Sequence, residues 1–393
     1  MERCIVALLV AAVGCDAGRE SSSVVRRDSA GVRIMESSEP RWRDGEGWRV
    51  DPQPMVDLAI SGTGPAHDFH RVQHAARLRD GTIAVADRGS NTIRLFTPEG
   101  AHLRTLGREG EAPGEFRRLT SVHPIGGDSL LAFDYWQGRF TVYDAQGRVT
   151  RTFGSYDSNA RIWRVAPLGD GTLVTVGYVL EQLVSHGLYR SPYAIVRIDP
   201  DGMLIDTIAR IPGSEGFQFD RGDARPLFDR DGHLAARGAR IVVGHADSME
   251  ITVHRPAGPV EMVLRVPGHD LRLSAADLRA ERAAASPGPD APAFLHEVIA
   301  TMPDPETRPA YSTLLLDPVG SVWAPEYHGR VQPDRPTACM IFGSEGEWLG
   351  IVTLPARFEP FEIGDDYVLG VLTDAMDVEH VQLLRLDRRK RAP

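Results

Sequence analysis

The sequence predicts an all-β fold in which a four-stranded antiparallel unit of about 45 residues repeats along the chain. An alternating strand, Val56–Ile60, leads to a glycine-rich bend and Phe69, and residues 103–106 lead in the same way to Phe116. The last unit, residues 359–386, has only three strands, while Val56–Ile60 has no partners before it. Pairing the two ends closes a ring without exposed sheet edges, which favours a six-bladed β-propeller.

Turn signals recur at the repeat spacing. The turn between the first two strands of each unit is predicted at Asp80-Gly81, Gly127-Asp128, Asp170-Gly171, Asp231-Gly232, Val319-Gly320 and Gly364-Asp365. The turn before the fourth strand is predicted at Pro98-Glu99-Gly100, Ala145-Gln146-Gly147, Pro200-Asp201-Gly202, Pro256-Ala257-Gly258 and Ser344-Glu345-Gly346. Asp, Asn and Gly tolerate the positive φ that tight hairpin turns require.

One helical segment, residues 274–302, interrupts this pattern, and we place it in the fifth blade. Ser274 and Asp277 resemble a capping box, and Phe294 and Val298 mark one face of a second short helix. We expect this insertion to cover one face of the propeller and shape its binding site; the alternative is that it packs on the outside of the blade.

Two further segments depart from the regular repeat. A smaller insertion, residues 178–193, lengthens the third unit. Residues 31–36 are expected to add strand to the seam where the ring closes.

The N-terminus has the layout of a secretory signal. Arg3 precedes an apolar run, residues 4–13, which is too short to span a bilayer as a stable helix. The following residues, Ala-Val-Gly-Cys, resemble a bacterial lipobox in which Cys15 would be lipidated. Ordinary signal cleavage and an uncleaved anchor remain alternatives.

The chain therefore divides into a signal peptide with lipobox (1–15), a flexible Ser-containing tether (16–30), the propeller (31–387) and a basic tail (388–393).

Composition excludes some functions. The 393 residues are 25% charged and 42% hydrophobic with a formal net charge of -10, which is unsuited to general nucleic-acid binding. Cys339 is the single cysteine after Cys15, so the domain has no internal disulfide, and its apolar setting predicts a small buried hydrophobe.

The segments VADRGSNTIRLFTPEGAHLRTLG and LAFDYWQGRFTVYDAQGRVTRTFG resemble NHL-type propeller repeats. The whole mature chain resembles the bacterial six-bladed β-propeller lipoproteins. This resemblance implies a cell-envelope location, lipid-anchored on the periplasmic or extracytoplasmic side, and no defined reaction, because propellers host many functions.

The expected function is binding, by a monomer, of a protein, peptide or glycan. The alternative is a metal-dependent hydrolase or lyase of the gluconolactonase-like or NHL-related type. No cofactor is expected, although a divalent cation at the pore mouth would suit the alternative. No catalytic residue can be nominated, since the sequence has no nucleophile elbow, P-loop or paired cysteines.

Three acidic residues are weak candidates for a metal site. Asp87, Asp134 and Glu326 follow second strands, where carboxylates around a pore could bind a hard cation. The intervening units have Gly177 and Gly238 at this place, and Asp is a common turn residue, so we favour a structural role.

Histidines and aromatic residues supply the other candidates. Four histidines, His67, His70, His74 and His123, fall near two neighbouring blades, but zinc needs converging ligands and exposed loop histidines are the simpler interpretation. Phe69, Phe116 and Trp163 occupy one repeat position and are predicted to pack between blades. Ligand binding at a pore rim is assigned to Tyr135, Trp136, Trp323 and Tyr327, with core packing as the alternative.

Overall fold

The computed structural model describes residues 24–43, 45–154, 161–178, 186–331 and 335–389. Over these residues the fold is a β-propeller, in which antiparallel sheets surround an axis and the first strand of each sheet is innermost. The signal peptide, Cys15 and residues 16–23 lie outside the described residues.

The first described strands are β1 (Val24–Ser29), β2 (Val32–Ser37) and β3 (Arg49–Asp57). The first sheet comprises β4 (Val72–Arg77), β5 (Ile83–Asp87), β6 (Thr92–Phe96) and β7 (His102–Leu106). The second comprises β8 (Leu119–Ile125), β9 (Ser129–Asp134), β10 (Arg139–Tyr143) and β11 (Val149–Gly154). The third comprises β12 (Ile162–Pro167), β13 (Leu173–Tyr178), β14 (Gly187–Ile198), β15 (Leu204–Phe219) and β16 (Gly222–Ala224).

The fourth sheet comprises β17 (His233–Arg237), β18 (Arg240–Gly244), β19 (Glu250–His254) and β20 (Val260–Arg265). The helices α1 (Ala275–Ala285) and α2 (Ala293–Thr301) follow. The fifth sheet comprises β21 (Leu315–Leu316), β22 (Val322–Pro325), β23 (Thr337–Phe342) and β24 (Trp348–Leu354). The sixth is built on β25 (Phe358–Ile363), β26 (Tyr367–Thr373) and β27 (Glu379–Asp387).

Strand β5 shows why these sequences form stacked sheets. All five of its residues are buried, because the sheet is covered on both faces. Ile83 and Val85 pack with the sixth sheet, whereas Ala84 and Ala86 pack with the second. Successive side chains of a strand point to opposite faces, so an unbroken apolar run supplies two interfaces. Similar apolar clusters lie between the other neighbouring sheets.

The ring closes as the sequence predicts, with an N-terminal strand completing the last sheet. β3 pairs antiparallel with β27, placing Val56 opposite Leu383 and Asp57 opposite Gln382. The strand is Arg49–Asp57 rather than Val56–Ile60, and residues 58–60 form a turn after it. The inner strands β25 and β4 are neighbours, which completes the circle.

The seam prediction for residues 31–36 is wrong. β2 pairs in parallel with β20, the outer strand of the fourth sheet, where Met35 joins the core. Residues 24–29, assigned from the sequence to the tether, form β1 and pair with β2. Ala30 and Gly31, with φ of 52° and 82°, provide the tight turn that makes this hairpin possible.

The first turn of the fourth sheet is also misplaced by the sequence pattern. Asp231-Gly232 precedes β17, and the β17–β18 turn lies at Gly238, whose φ is 61°. Because the segment Arg237–Arg240 has no Asp-Gly pair, the pattern attached the turn to the nearest such signal. The residue of the fourth sheet that corresponds to Asp87 and Asp134, at the end of the second strand, is therefore Gly244, not Gly238.

The helices form where predicted but join two sheets. They lie between β20 and β21, so they precede the fifth sheet rather than interrupt it. Ser274 caps α1 in a complete capping box with Asp277. Buried Glu281 receives a hydrogen bond from Arg330 Nη1 at 2.6 Å and anchors α1 to the fifth sheet's loop. Phe294 of α2 contacts Phe219 of β15.

Candidate functional site

The inner strands enclose a central channel of about 600 Å³. Residues of β4, β8, β12, β17, β21 and β25 line it, together with residues just before β21. The described helices contribute no residue to the lining of this channel, and their covering of one face of the propeller stays a prediction. The channel combines apolar surface from Trp163 and Phe361 with charged and polar side chains, a mixture typical of ligand sites.

Two histidines meet on adjacent inner strands. The rings of His74 on β4 and His123 on β8 are 4.7 Å apart, and both residues line the channel. Burial lowers the pKa of His74 to about 4, against a smaller raising effect of a hydrogen bond with the Val122 backbone. Burial, with a further contribution from His74, lowers the pKa of His123 well below its usual value. Both rings are therefore neutral at pH 7.

Polar groups near this pair have no protein partner. The buried atoms His74 Nδ1, His123 Nε2 and Ser121 Oγ make no hydrogen bond in the structure. An unsatisfied buried polar group costs roughly 1–3 kcal/mol, so a ligand group that bonded to them would gain affinity.

The other histidines do not join them. His67 is buried and its Nδ1 lies 2.6 Å from the Leu58 carbonyl, while His70 is exposed. Two neighbouring imidazoles fall short of the three or four ligands of a zinc site. Within the described residues, no group of three or more His, Cys, Asp or Glu side chains is arranged to hold a metal ion.

The channel also contains opposite charges. Arg164 of β12 reaches Thr313 Oγ1 at 3.4 Å, and Glu359 of β25 is exposed to the channel. The surrounding walls desolvate Glu359 and raise its pKa, an effect that Arg164 opposes and Glu379 reinforces. A channel with a basic and an acidic side chain can orient a polar ligand by contacts of opposite charge.

The acidic candidates are occupied by structural contacts. The fully buried Asp87 lies 2.9 Å from Arg94 Nη2 and accepts the N–H of Ser90 at 3.1 Å. Glu326 is paired with Arg335 at 2.9 Å.

Asp134 is also fully buried, at the end of β9. It accepts backbone N–H groups from Arg117, Arg118 and Gln137 at 2.6 to 2.9 Å. These contacts support the structural interpretation of the acidic positions.

The four aromatic residues assigned to the pore rim differ in their burial. Trp323 is fully buried and donates Nε1–H to Asp317, and Tyr327 is buried with its hydroxyl on Asp229 at 3.1 Å. Trp323 lies in β22 and Tyr327 in the loop after it, and both side chains are buried in the core, so neither belongs to a ligand surface. Trp136 is 64% exposed, and Tyr135 is half-buried.

The repeat-position aromatics also differ from one another. Phe69 and Phe116 pack between sheets as predicted. Trp163 instead lines the channel and meets Tyr135 edge-on at 5.4 Å. Cys339 is buried, which raises the pKa of its thiol and suits the predicted hydrophobic role.

The sequence analysis did not predict the charged side chains Arg164 and Glu359 of the channel, nor an arginine that recurs at one position of the repeat. The residue before the inner strand is arginine in four sheets: Arg71, Arg118, Arg161 and Arg357. In each, its backbone carbonyl accepts an N–H from the end of the second strand, from Arg88, Tyr135, Tyr178 and Thr373 respectively. Aligning the repeats on these Arg-apolar pairs would have revealed the position.

Solved structures share this fold at low identity. A putative exported protein from Bacteroides fragilis is 13% identical, with a TM-score of 0.51 over 91% of this chain and 100% of that one. A DUF4221-family member from Bacteroides vulgatus is 10% identical, with a TM-score of 0.52 over 88% of this chain and 99% of that one.

A gluconolactonase from Xanthomonas campestris is 12% identical over 89% of this chain and 99% of that one, with a TM-score of 0.43, too distant to bear on this site. No protein-family model and no curated protein matches the chain. The likeness concerns the fold alone.

Proposed function

We propose that this protein is a six-bladed binding propeller whose protein, peptide or glycan ligand engages the central channel. The observation that carries the proposal is the channel itself, about 600 Å³ lined from all six sheets of the described chain. Its partnerless groups on His74, Ser121 and His123 and its Arg164 and Glu359 side chains supply directional contacts. We also propose that the repeating units of this propeller are of the NHL type.

We further propose a cell-envelope lipoprotein, anchored through Cys15 on the extracytoplasmic side. The signal-like N-terminus supports this, and one fold neighbour is described as an exported protein. Among the described residues, no helix is both long and apolar enough for a membrane span.

The test is a binding screen of the purified protein against glycan and peptide arrays. A channel ligand should lose affinity with Arg164→Gln and Trp163→Ala, because both side chains line the cavity. Arg210→Gln, an exposed change on the outer strand β15, is the matched control and should have no effect. A ligand that bound both channel variants with the affinity of the parent protein would contradict the proposal.

Metal-dependent turnover would contradict it too. A stoichiometric divalent metal on the purified protein, lost together with hydrolase or lyase activity on chelation, would replace the binding function by the enzymatic alternative.

A further inference from the structure

Three arginines lie on neighbouring loops at the end of the channel where the inner strands β4 and β8 begin. Arg71 ends the segment before β4, Arg118 ends the segment before β8, and these inner strands are neighbours. Arg88 follows β5, and its N–H bonds to the Arg71 carbonyl at 3.2 Å. In the same loop, Asn91 Oδ1 accepts the Leu119 N–H at 3.3 Å, which holds the loop against the second sheet beside Arg118. We name Arg71, Arg88 and Arg118 the mouth cluster.

No carboxylate forms an ion pair with the mouth cluster in the described part of the chain. Its members act on one another instead: burial, followed by the charges of Arg118 and Arg71, lowers the pKa of Arg88. Three uncompensated cations are notable in a chain whose net charge is -10. Such repulsion is unfavourable unless another group compensates it.

The nearby carboxylates are committed elsewhere. Asp87 is paired with Arg94, and Asp134 accepts three backbone N–H groups. Glu379 accepts the Val72 N–H at 2.8 Å. These acids hold the loops in place, and none lies within ion-pair distance of a mouth-cluster guanidinium. The cluster is therefore positioned by carboxylates that do not neutralise it.

An aromatic surface adjoins the cluster. The guanidinium carbon of Arg118 lies 4.6 Å from the centroid of the Tyr135 ring, which holds the charged plane in a fixed orientation. The neighbouring Trp136 is 64% exposed. Arg118 Nε is buried without a partner. Arginine recognises planar or tetrahedral oxyanions through paired N–H groups, and fixed orientation reduces the entropic cost of that recognition.

We propose that the mouth cluster binds a multiply charged oxyanion group of the channel ligand, either a phosphate group or closely spaced carboxylates. The inference rests on the proposed binding function and names the chemistry of the ligand. Three cations at one site match two or more negative charges better than a single carboxylate.

The test is isothermal titration calorimetry of the purified protein with pyrophosphate and with citrate, and with sucrose as a neutral control. One-to-one binding of at least one anion is expected, weakening with added salt as charge screening requires. Tighter binding of citrate identifies carboxylates and tighter binding of pyrophosphate identifies phosphate, and both results support the site. Failure of both anions to bind above the sucrose control would overturn it.

Variants locate the site. Arg88→Gln and Arg118→Gln should each weaken anion binding about tenfold, the effect of losing one charge-assisted hydrogen bond. Arg71 has a φ of 59°, so Arg71→Asn removes the charge with a residue that tolerates this backbone. Arg88→Lys keeps the charge but lacks the paired N–H groups, so it should bind the anion more tightly than Arg88→Gln and more weakly than the parent, which separates the effect of charge from that of guanidinium geometry.

The matched control is Arg79→Gln, which removes the same charge from the exposed turn after β4, at the opposite end of that strand. It should leave anion affinity unchanged; an equal loss would mean diffuse attraction and would overturn the proposal. Arg164→Gln should lower the affinity for the channel ligand and leave the affinity for pyrophosphate or citrate unchanged. If the protein binds an anion but no glycan or peptide of the arrays, the channel function alone is contradicted. If it binds an array ligand in the channel but neither anion, the mouth-cluster proposal alone is contradicted.

Discussion

Arg388 Nη1 lies 2.7 Å from Oδ2 of Asp317, whose side chain is fully buried. The guanidinium also donates to the carbonyls of Gly364 and Asp365, and it stacks 4.3 Å from the ring centroid of Trp48. Trp48 in turn stacks on the buried Trp323. Arg388 thus joins the fifth sheet, the sixth sheet and the N-terminal segment. The sequence assigned it to a basic tail; residues 390–393 of that tail lie outside the described residues.

Replacing Arg388 should destabilise the whole domain. Arg388→Ala leaves the buried Asp317 carboxylate without its cation, which typically costs about 3–5 kcal/mol. We expect a reduction of the unfolding free energy in this range, measured by urea denaturation. Arg389→Ala is the control. The Arg389 side chain is 86% exposed and forms an ion pair with Asp387, and an exposed ion pair contributes about 0–1 kcal/mol to stability. Equal effects of the two variants would contradict this assignment.

Ring closure predicts unequal effects of two N-terminal deletions. Deleting residues 24–57 removes β3 and exposes β27 along its length, so the unfolding free energy should fall by about 5 kcal/mol or more, comparable with a domain's whole stability. Deleting residues 24–37 removes only the β1–β2 hairpin from the edge of the fourth sheet and should cost less. Calorimetric melting of both proteins measures the difference. If the protein that lacks residues 24–57 melted near the melting temperature of the parent protein, closure of the ring by β3 would be ruled out.

The channel histidines predict acid sensitivity. The folded-state pKa of His74 is about 4, below its usual 6.5. The unfolded chain therefore takes up a proton from about pH 6.5 downward while the folded protein does not, so stability is lost between pH 6.5 and 4. The shift corresponds to at most about 3 kcal/mol.

His74→Gln should remove this part of the pH dependence. The measurement is the unfolding free energy at a series of pH values for the variant and the parent. His70→Gln, at an exposed position on the segment before β4, is the control and should keep the parent's slope. An unchanged slope in the His74 variant would show that other groups cause the acid sensitivity.

Lipidation predicts a change of location. Cys15→Ser should move the protein from the membrane fraction to the soluble fraction or leave an unprocessed precursor. Mass spectrometry of the mature N-terminus should show more than one acyl chain, because a single chain anchors only marginally. Cys4→Ser, within the apolar signal segment, should leave the location unchanged. An unmodified mature N-terminus would decide against the anchor.

Local signals in the sequence were enough to predict the repeat. Turn residues with positive φ and alternating strands are local signals, and they located most of the sheets. The strand-deficient last unit indicated that an N-terminal strand closes the ring, although that strand is Arg49–Asp57 rather than Val56–Ile60. Local signals also placed α1, because the Ser274–Asp277 capping box depends only on neighbouring residues. The same locality explains the error at Gly238, where the turn lacks an Asp-Gly pair.

Contacts between side chains of different sheets could not be predicted in this way. Trp136 and Trp323 both lie near the ends of second strands, yet one is exposed and the other is buried on Asp317, because burial depends on what the neighbouring sheets provide. Asp317 and Arg388 are 71 positions apart, and His74 meets His123 across two sheets. Such pairs arise from the stacking of sheets around the axis, and no spacing along one chain segment encodes them. The channel is therefore a product of ring closure, and the mouth cluster arises from the stacking of the first and second sheets.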